Sequence, residues 1–169
     1  MLKYILALIL LCTLPQSQAN TFIGQWHVFD EGENTVAQTI DGYDKLRIEV
    51  SAKQQVRIVL VLQDFASFST TDNILEYASP IYGRIRTGNY HLRDHAIIID
   101  DTYEVNRFIQ NLCDISTHVM LAAENMGYSF TERKVAIAYV DNNDQPQLKR
   151  SQFSTVEIDE VLEQLGINE

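Results

Sequence analysis

Lys45-Leu46-Arg47-Ile48-Glu49-Val50 is the stretch that decides the fold. Leu46, Ile48 and Val50 fall on one side of an extended chain, and Lys45, Arg47 and Glu49 on the other. That is the pattern of a strand with one buried and one wet face. The polar turn Ser51 to Gln54 follows, and then Val56 to Leu62, a strand with apolar residues on both faces. The two runs read as a hairpin whose second strand is the more central.

Period-two patterning extends outward from this hairpin. Phe22 to Phe29 reads as a first strand around Gly24-Gln25-Trp26. Glu31 to Gly42, with Gly32, Asn34 and Asp41, reads as a loop. Phe65 to Asn73 is rich in Ser and Thr and reads as irregular. Ile74 to Thr87 is interrupted by Pro80, which cannot donate to a ladder and so marks an edge or a break. Beyond it Ile81, Gly83 and Ile85 alternate with Tyr82, Arg84 and Arg86. Gly88-Asn89 turns, Tyr90 and Leu92 begin another strand, Arg93-Asp94-His95 turns again, and Ala96 to Ile99 is a short buried strand.

The period then changes. Val105, Phe108, Ile109 and Leu112 fall at i, i+3, i+4 and i+7, one face of a helix from about 102 to 112. Asp101 caps it, with Glu104 three residues on. Thr117 to Ala123 alternates as a strand, Asn125-Met126-Gly127 turns, and Lys134 to Val140 is a strong strand ended by Asp141 to Asp144. A last short strand ends at Gln152-Phe153. Ser154-Thr155-Val156-Glu157 has the form of a capping box, opening a helix from about 155 to 165 that stops at Gly166. Seven or eight antiparallel strands with two short helices predict a mainly β, single domain, either a β-sandwich or a closed β-barrel.

The amino-terminal end carries a different signal. Lys3, the apolar run Ile5 to Leu11 and the small residues of Ser17-Gln18-Ala19 form a secretory signal peptide over residues 1–19. The run is shorter than the roughly 20 apolar residues a spanning helix needs. Cleavage after Ala19 is expected, leaving one domain over 20–169 in the periplasm or outside the cell. Membrane contact is expected only through an uncleaved signal segment. That domain keeps Cys113 alone, so it cannot close an internal disulfide, and burial of the thiol is expected. Removing one lysine and no acid takes the net charge from −10 to −11. Such a surface repels phosphate, which argues against nucleic acid, and it steers a basic partner.

No nucleophile elbow, zinc-protease motif, phosphate-cradling loop or paired-cysteine motif occurs. His91 and His95 flank a turn near Asp94, Asp100 and Asp101, which reads as solvated in preference to a metal site. Cys113 with His118 has the residue types of a thiolate pair, without a third orienting group. Asp100 and Asp101 read as a strand end and a helix cap. Trp26, the sole tryptophan, reads as a core anchor or a stacking surface for a ligand. Tyr77, Tyr82 and Tyr90 with Arg84 and Arg86 have the composition of an interface hot spot, or of an edge kept soluble by charge. No enzyme, no cofactor and no metal is expected.

Gly88-Asn89-Tyr90-His91-Leu92, then Ala96 to Asp101, Phe108 and Cys113, resembles the second half of the invasion-associated locus B family of exported bacterial β-domains. Val135 to Tyr139, Phe153 and Val161-Leu162-Leu165 extend the likeness over roughly residues 82 to 165. The chain lacks the second cysteine of the disulfide that this likeness implies, and also a cysteine after the first-strand tryptophan. The resemblance implies binding or a role in virulence, with no defined reaction. Gly24-Gln25-Trp26 is similar to the G-x-W opening of lipocalin-like β-barrels, a fold shared by some periplasmic partners of membrane-bound virulence regulators. That likeness implies a small apolar ligand in the barrel mouth, with Trp26 and Tyr90 at the site. The leading expectation is therefore a non-enzymatic exported β-domain that binds a protein partner through Tyr77, Tyr82, Arg84, Arg86 and Tyr90. A basic envelope toxin or cell-wall enzyme fits that role. The alternative is a lipocalin-like subunit that holds an apolar ligand or partners a regulator.

Overall fold

The structure, a computed structural model, describes residues 20–68, 74–79, 83–126 and 133–167. The predicted signal peptide lies outside them. The chain opens with β1 (Asn20–Ile23), β2 (Trp26–Glu31), β3 (Asn34–Asp41), β4 (Asp44–Ser51) and β5 (Val56–Val61), an antiparallel meander. It then crosses to a second sheet for β6 (Phe65–Phe68), β7 (Leu75–Ser79) and β8 (Gly83–Thr87), and returns for β9 (His91–Arg93) and β10 (Ala96–Ile99). Helix α1 (Thr102–Met126) leads back to β11 (Lys134–Asp141) and β12 (Leu148–Ser154), and α2 (Ile158–Gln164) closes the chain. The larger sheet has the order β1-β2-β3-β4-β5-β10-β9. The smaller has β12-β11-β7-β8, with β6 also pairing β11. This is the mainly β, antiparallel, sandwich- or barrel-like architecture that the alternation predicts.

The inner face of the larger sheet presents Trp26, Val28, Ala37, Leu46, Ile48, Ile58, Leu60, Ile97 and Ile99, all fully buried. Val105, Phe108, Leu112 and Ile115 of α1 pack into the same core, as do Val135, Ile137 and Phe153 of the smaller sheet. Each large aliphatic or aromatic side chain contributes roughly 1.5–3 kcal/mol by leaving water. Cys113 is buried there and forms no disulfide.

Five local expectations are corrected. Phe22 to Phe29 is two strands, because Gly24, at φ +54°, turns the chain within two residues. The expected loop from Glu31 to Gly42 contains β3. Its core-facing residues Ala37 and Thr39 are small or polar, so hydrophobic periodicity is weak although both are buried. The strand expected at Thr117 to Ala123 is helix, since α1 runs to Met126 and also takes in the start of the expected turn at 125–127. Ile115 and Ser116 continue the buried stripe of Val105 to Leu112, and that packing outweighs the strand preference of the β-branched residues beyond. The fourth is Phe65 to Asn73, read as irregular: Phe65–Phe68 is β6, drawn into a strand by pairing with the distant β11, and 69–73 lie outside the described residues. The fifth correction is the capping box, which does not form. Ser154 Oγ accepts from Val156 N–H at 3.2 Å, and Glu157, at φ +60°, makes no side-chain cap, so α2 starts only at Ile158.

Other signals hold. Asp101 caps α1, accepting from Glu104 N–H at 3.1 Å. Gly166, at φ +71°, ends α2 and donates to the Glu163 carbonyl at 3.0 Å. Ala96–Ile99 is a strand within the predicted bounds, paired by β5 on one side and β9 on the other, with Ile97 and Ile99 buried.

Candidate functional site

The expected tyrosine and arginine surface is divided by the register of β7 and β8. Glu76 lies opposite Arg86, and Tyr77 opposite Ile85. Adjacent residues on a strand point to opposite faces. Arg84 and Arg86 therefore stand in solvent beside Glu76, at 3.8 and 2.8 Å, while Tyr77 enters the core with its ring 4.7 Å from that of Phe108. Burial pushes the Tyr77 hydroxyl up to about 12, with Arg107 opposing and Glu104 and Tyr103 adding to the shift. Tyr77 is thus corrected from a surface residue to a core residue. Tyr90 is half-buried with its ring edge-on to Phe68 at 5.3 Å, and burial raises its hydroxyl pKa. Tyr82 lies outside the described residues.

Trp26 is fully buried on the core side of β2, the anchor reading. A cleft of about 550 Å³ opens between the β4–β5 turn and the start of α1. Asn34, Ser51, Gln55, Asp100 and Asn106 line it around the pair Glu49 and Arg57, and its apolar lining is Val56 and Val105. Neither Trp26 nor Tyr90 reaches it. Glu49 is 4% exposed and is held by Arg47 at 3.1 Å and Arg57 at 2.6 Å.

His91 pairs with Asp100 at 3.2 Å. Among the described residues, no group of three or more His, Cys, Asp or Glu side chains is arranged to hold a metal. The side chain of His118, the other half of the Cys113 pair, lies outside the described ones.

Sequence reading missed the buried polar hub between the sheets. Asp44, at the start of β4, accepts from Tyr139 Oη at 2.6 Å, from Ser151 Oγ, and from Gln63 N–H at 2.9 Å. Burial, and then the bond to Asp44, pushes the Tyr139 hydroxyl strongly up. Beside it Asp141 accepts from Gln147 N–H at 2.8 Å and from Asn143 at 2.6 Å, and these donors, the backbone one foremost, hold its carboxyl below the usual range. Lys149 joins Asp64 at 2.7 Å and Asp141 at 3.4 Å. No local pattern announces this hub, because Gln63, Tyr139 and Ser151 are 19, 95 and 107 residues from Asp44.

The charges divide unevenly over the surface. Arg47, Arg57, Arg84, Arg86, Arg107 and Lys149 each sit against a carboxylate. The exposed carboxylates Glu157, Asp159, Glu160 and Glu163 at α2 have no ion pair among the described residues. Glu157 also lies directly over Gly24, where a Cβ would collide with its carboxylate. This joins the acidic helix to the β1–β2 turn. It is the candidate binding surface.

Among the described residues no helix is long and apolar enough to cross a membrane. Compared with family models, curated proteins and solved structures, the chain matches none.

Proposed function

We propose that the chain is an exported, non-catalytic β-domain that binds a basic protein partner, a cell-wall enzyme or toxin of the bacterial envelope being the fitting class. The observation that carries this reading is the pairing pattern of its charges. Seven of the twelve cations among the described residues sit against a carboxylate, while the four exposed carboxylates at α2 have no ion pair there. A one-signed surface of this kind attracts a cationic partner at long range and raises its association rate. The leader at residues 1–19 supports delivery to the envelope. The small-ligand alternative has less support, because the described cleft is polar and lies away from Trp26 and Tyr90.

The test is a kinetic one. A basic lysozyme serves as the probe, and its association with the immobilised chain is followed as salt rises. Raising ionic strength from about 0.02 to 0.3 M shortens the screening length several-fold, and the on-rate is expected to fall roughly tenfold or more. An on-rate indifferent to salt removes the reading.

A further inference from the structure

The strands that end the two sheets are not alike. β8 carries Arg84 and Arg86, β9 carries Arg93, and β12 carries Lys149 and Arg150. Charges of this kind discourage an edge from pairing with another chain. β1 reads Asn20-Thr21-Phe22-Ile23, with no charge, no proline and no bulge in its register, and its first three residues are exposed. Its two-residue turn makes Ile23↔Trp26 and Thr21↔Val28 the hydrogen-bonded pairs. The backbone N–H and C=O of Phe22 therefore point away from β2, toward the side of the sheet where no strand pairs β1 among the described residues.

A binding platform adjoins this edge. The Phe22 ring, 74% exposed, stacks on His27 at 4.4 Å, and His27 stacks on Phe29 at 4.7 Å. Both ends of the strand are acidic. Beyond Phe29, the residue opposite Asn20, come Asp30, Glu31, which is paired with Arg47, and the exposed Glu33. At the other end Glu157 overlies Gly24, followed by Asp159 and Glu160.

We infer that β1 is a docking edge that takes an extended, lysine- or arginine-bearing segment of a protein partner as an added strand. The inference rests on the basic-partner reading above and gives it a location. The incoming backbone pairs with Phe22, a basic side chain lies over the Phe22 ring, and its neighbours meet the acidic ends. A second copy of the chain fits less well. Antiparallel pairing of β1 with itself about a two-fold axis sets Glu33 of one copy toward Glu157 of the other, like charge against like.

The experiment uses the full chain with a C-terminal tag and two synthetic probes, Lys-Val-Lys-Thr-Lys-Val and its glutamate counterpart. Expected are binding of the lysine peptide alone, at least tenfold slower hydrogen exchange at the Phe22 amide, and a tenfold weaker affinity in Phe22→Lys. Phe22→Tyr, which keeps the ring, should bind as the parent does. Phe22 is largely solvent-exposed, and an unchanged urea midpoint confirms that each variant is folded. If the peptide binds Phe22→Lys equally well and leaves the Phe22 amide unprotected, the docking edge is overturned while the basic-partner reading stands. If salt-sensitive lysozyme binding persists but the lysine peptide does not bind, strand addition is likewise overturned. A concentration-dependent dimer abolished by Phe22→Lys overturns it in favour of self-pairing.

Discussion

Replacing Asp44 with alanine removes the one acceptor at which β4, β11, β12 and the segment after β5 meet. Three donors converge on it, two of them hydroxyls on a single carboxylate oxygen. Asp44 is 7% exposed, so water does not readily take its place. A hydrogen bond to a charged group is worth about 1.5–3 kcal/mol, and a buried donor left unpaired costs about 1–3 kcal/mol. Against this, the variant no longer buries a carboxylate, which itself costs several kcal/mol. The net expectation for Asp44→Ala is a loss of about 2–4 kcal/mol, a large share of the roughly 5–15 kcal/mol that holds an ordinary domain. Tyr139→Phe, which leaves the carboxylate and two donors in place, should cost about 1–2 kcal/mol. Because the Tyr139 and Ser151 hydroxyls share one oxygen, Tyr139→Phe and Ser151→Ala should be non-additive by at least about 0.5 kcal/mol. Urea titration reports all of this through Trp26, the only tryptophan and fully buried. The midpoint should fall with an unchanged slope. If Asp44→Ala unfolds within about 1 kcal/mol of the parent, the hub does not hold the two sheets together and the reasoning fails.

Tyr77→Phe should be neutral or stabilising by up to about 1 kcal/mol, because the buried hydroxyl has no hydrogen-bond partner among the described residues. Folding holds that hydroxyl neutral up to about 12, above its ordinary 10, so the parent should lose stability as pH rises past 10. Alkaline titration of the two proteins checks this, the variant showing the smaller loss. Asp141 has the opposite sign, since its folded pKa lies below the ordinary carboxylate value. Its contribution is present above that value and disappears as pH falls through the folded pKa, so Asp141→Asn should flatten the acid limb of the stability curve. Gly24→Ala should destabilise by about 1–2 kcal/mol through left-handed backbone strain, the exposed Glu157 carboxylate moving aside at little cost. Adding Glu157→Ala should be additive within about 0.5 kcal/mol, and a larger rescue in thermal melts would show that the carboxylate is held in place.

The sequence by itself determined the strand class and the places where period and turn chemistry act within a few residues. Leu46, Ile48 and Val50 show a wet and a dry face without help from the rest of the chain. Asp101 and Gly166 mark helix limits through bonds to their immediate neighbours. Tertiary structure alone decided the matters that depend on distant partners. β3 is a strand because β2 and β4 pair it on both sides, although its inward residues Ala37 and Thr39 carry little hydrophobic signal. The far half of α1 is helical because the core continues past Leu112. The face of Tyr77 follows from the register of β7 with β8, and one step along a strand reverses exposure. The Asp44 hub and the contact of Glu157 with Gly24 join residues far apart in the chain, and local physics has no term for a meeting that only the closed fold creates.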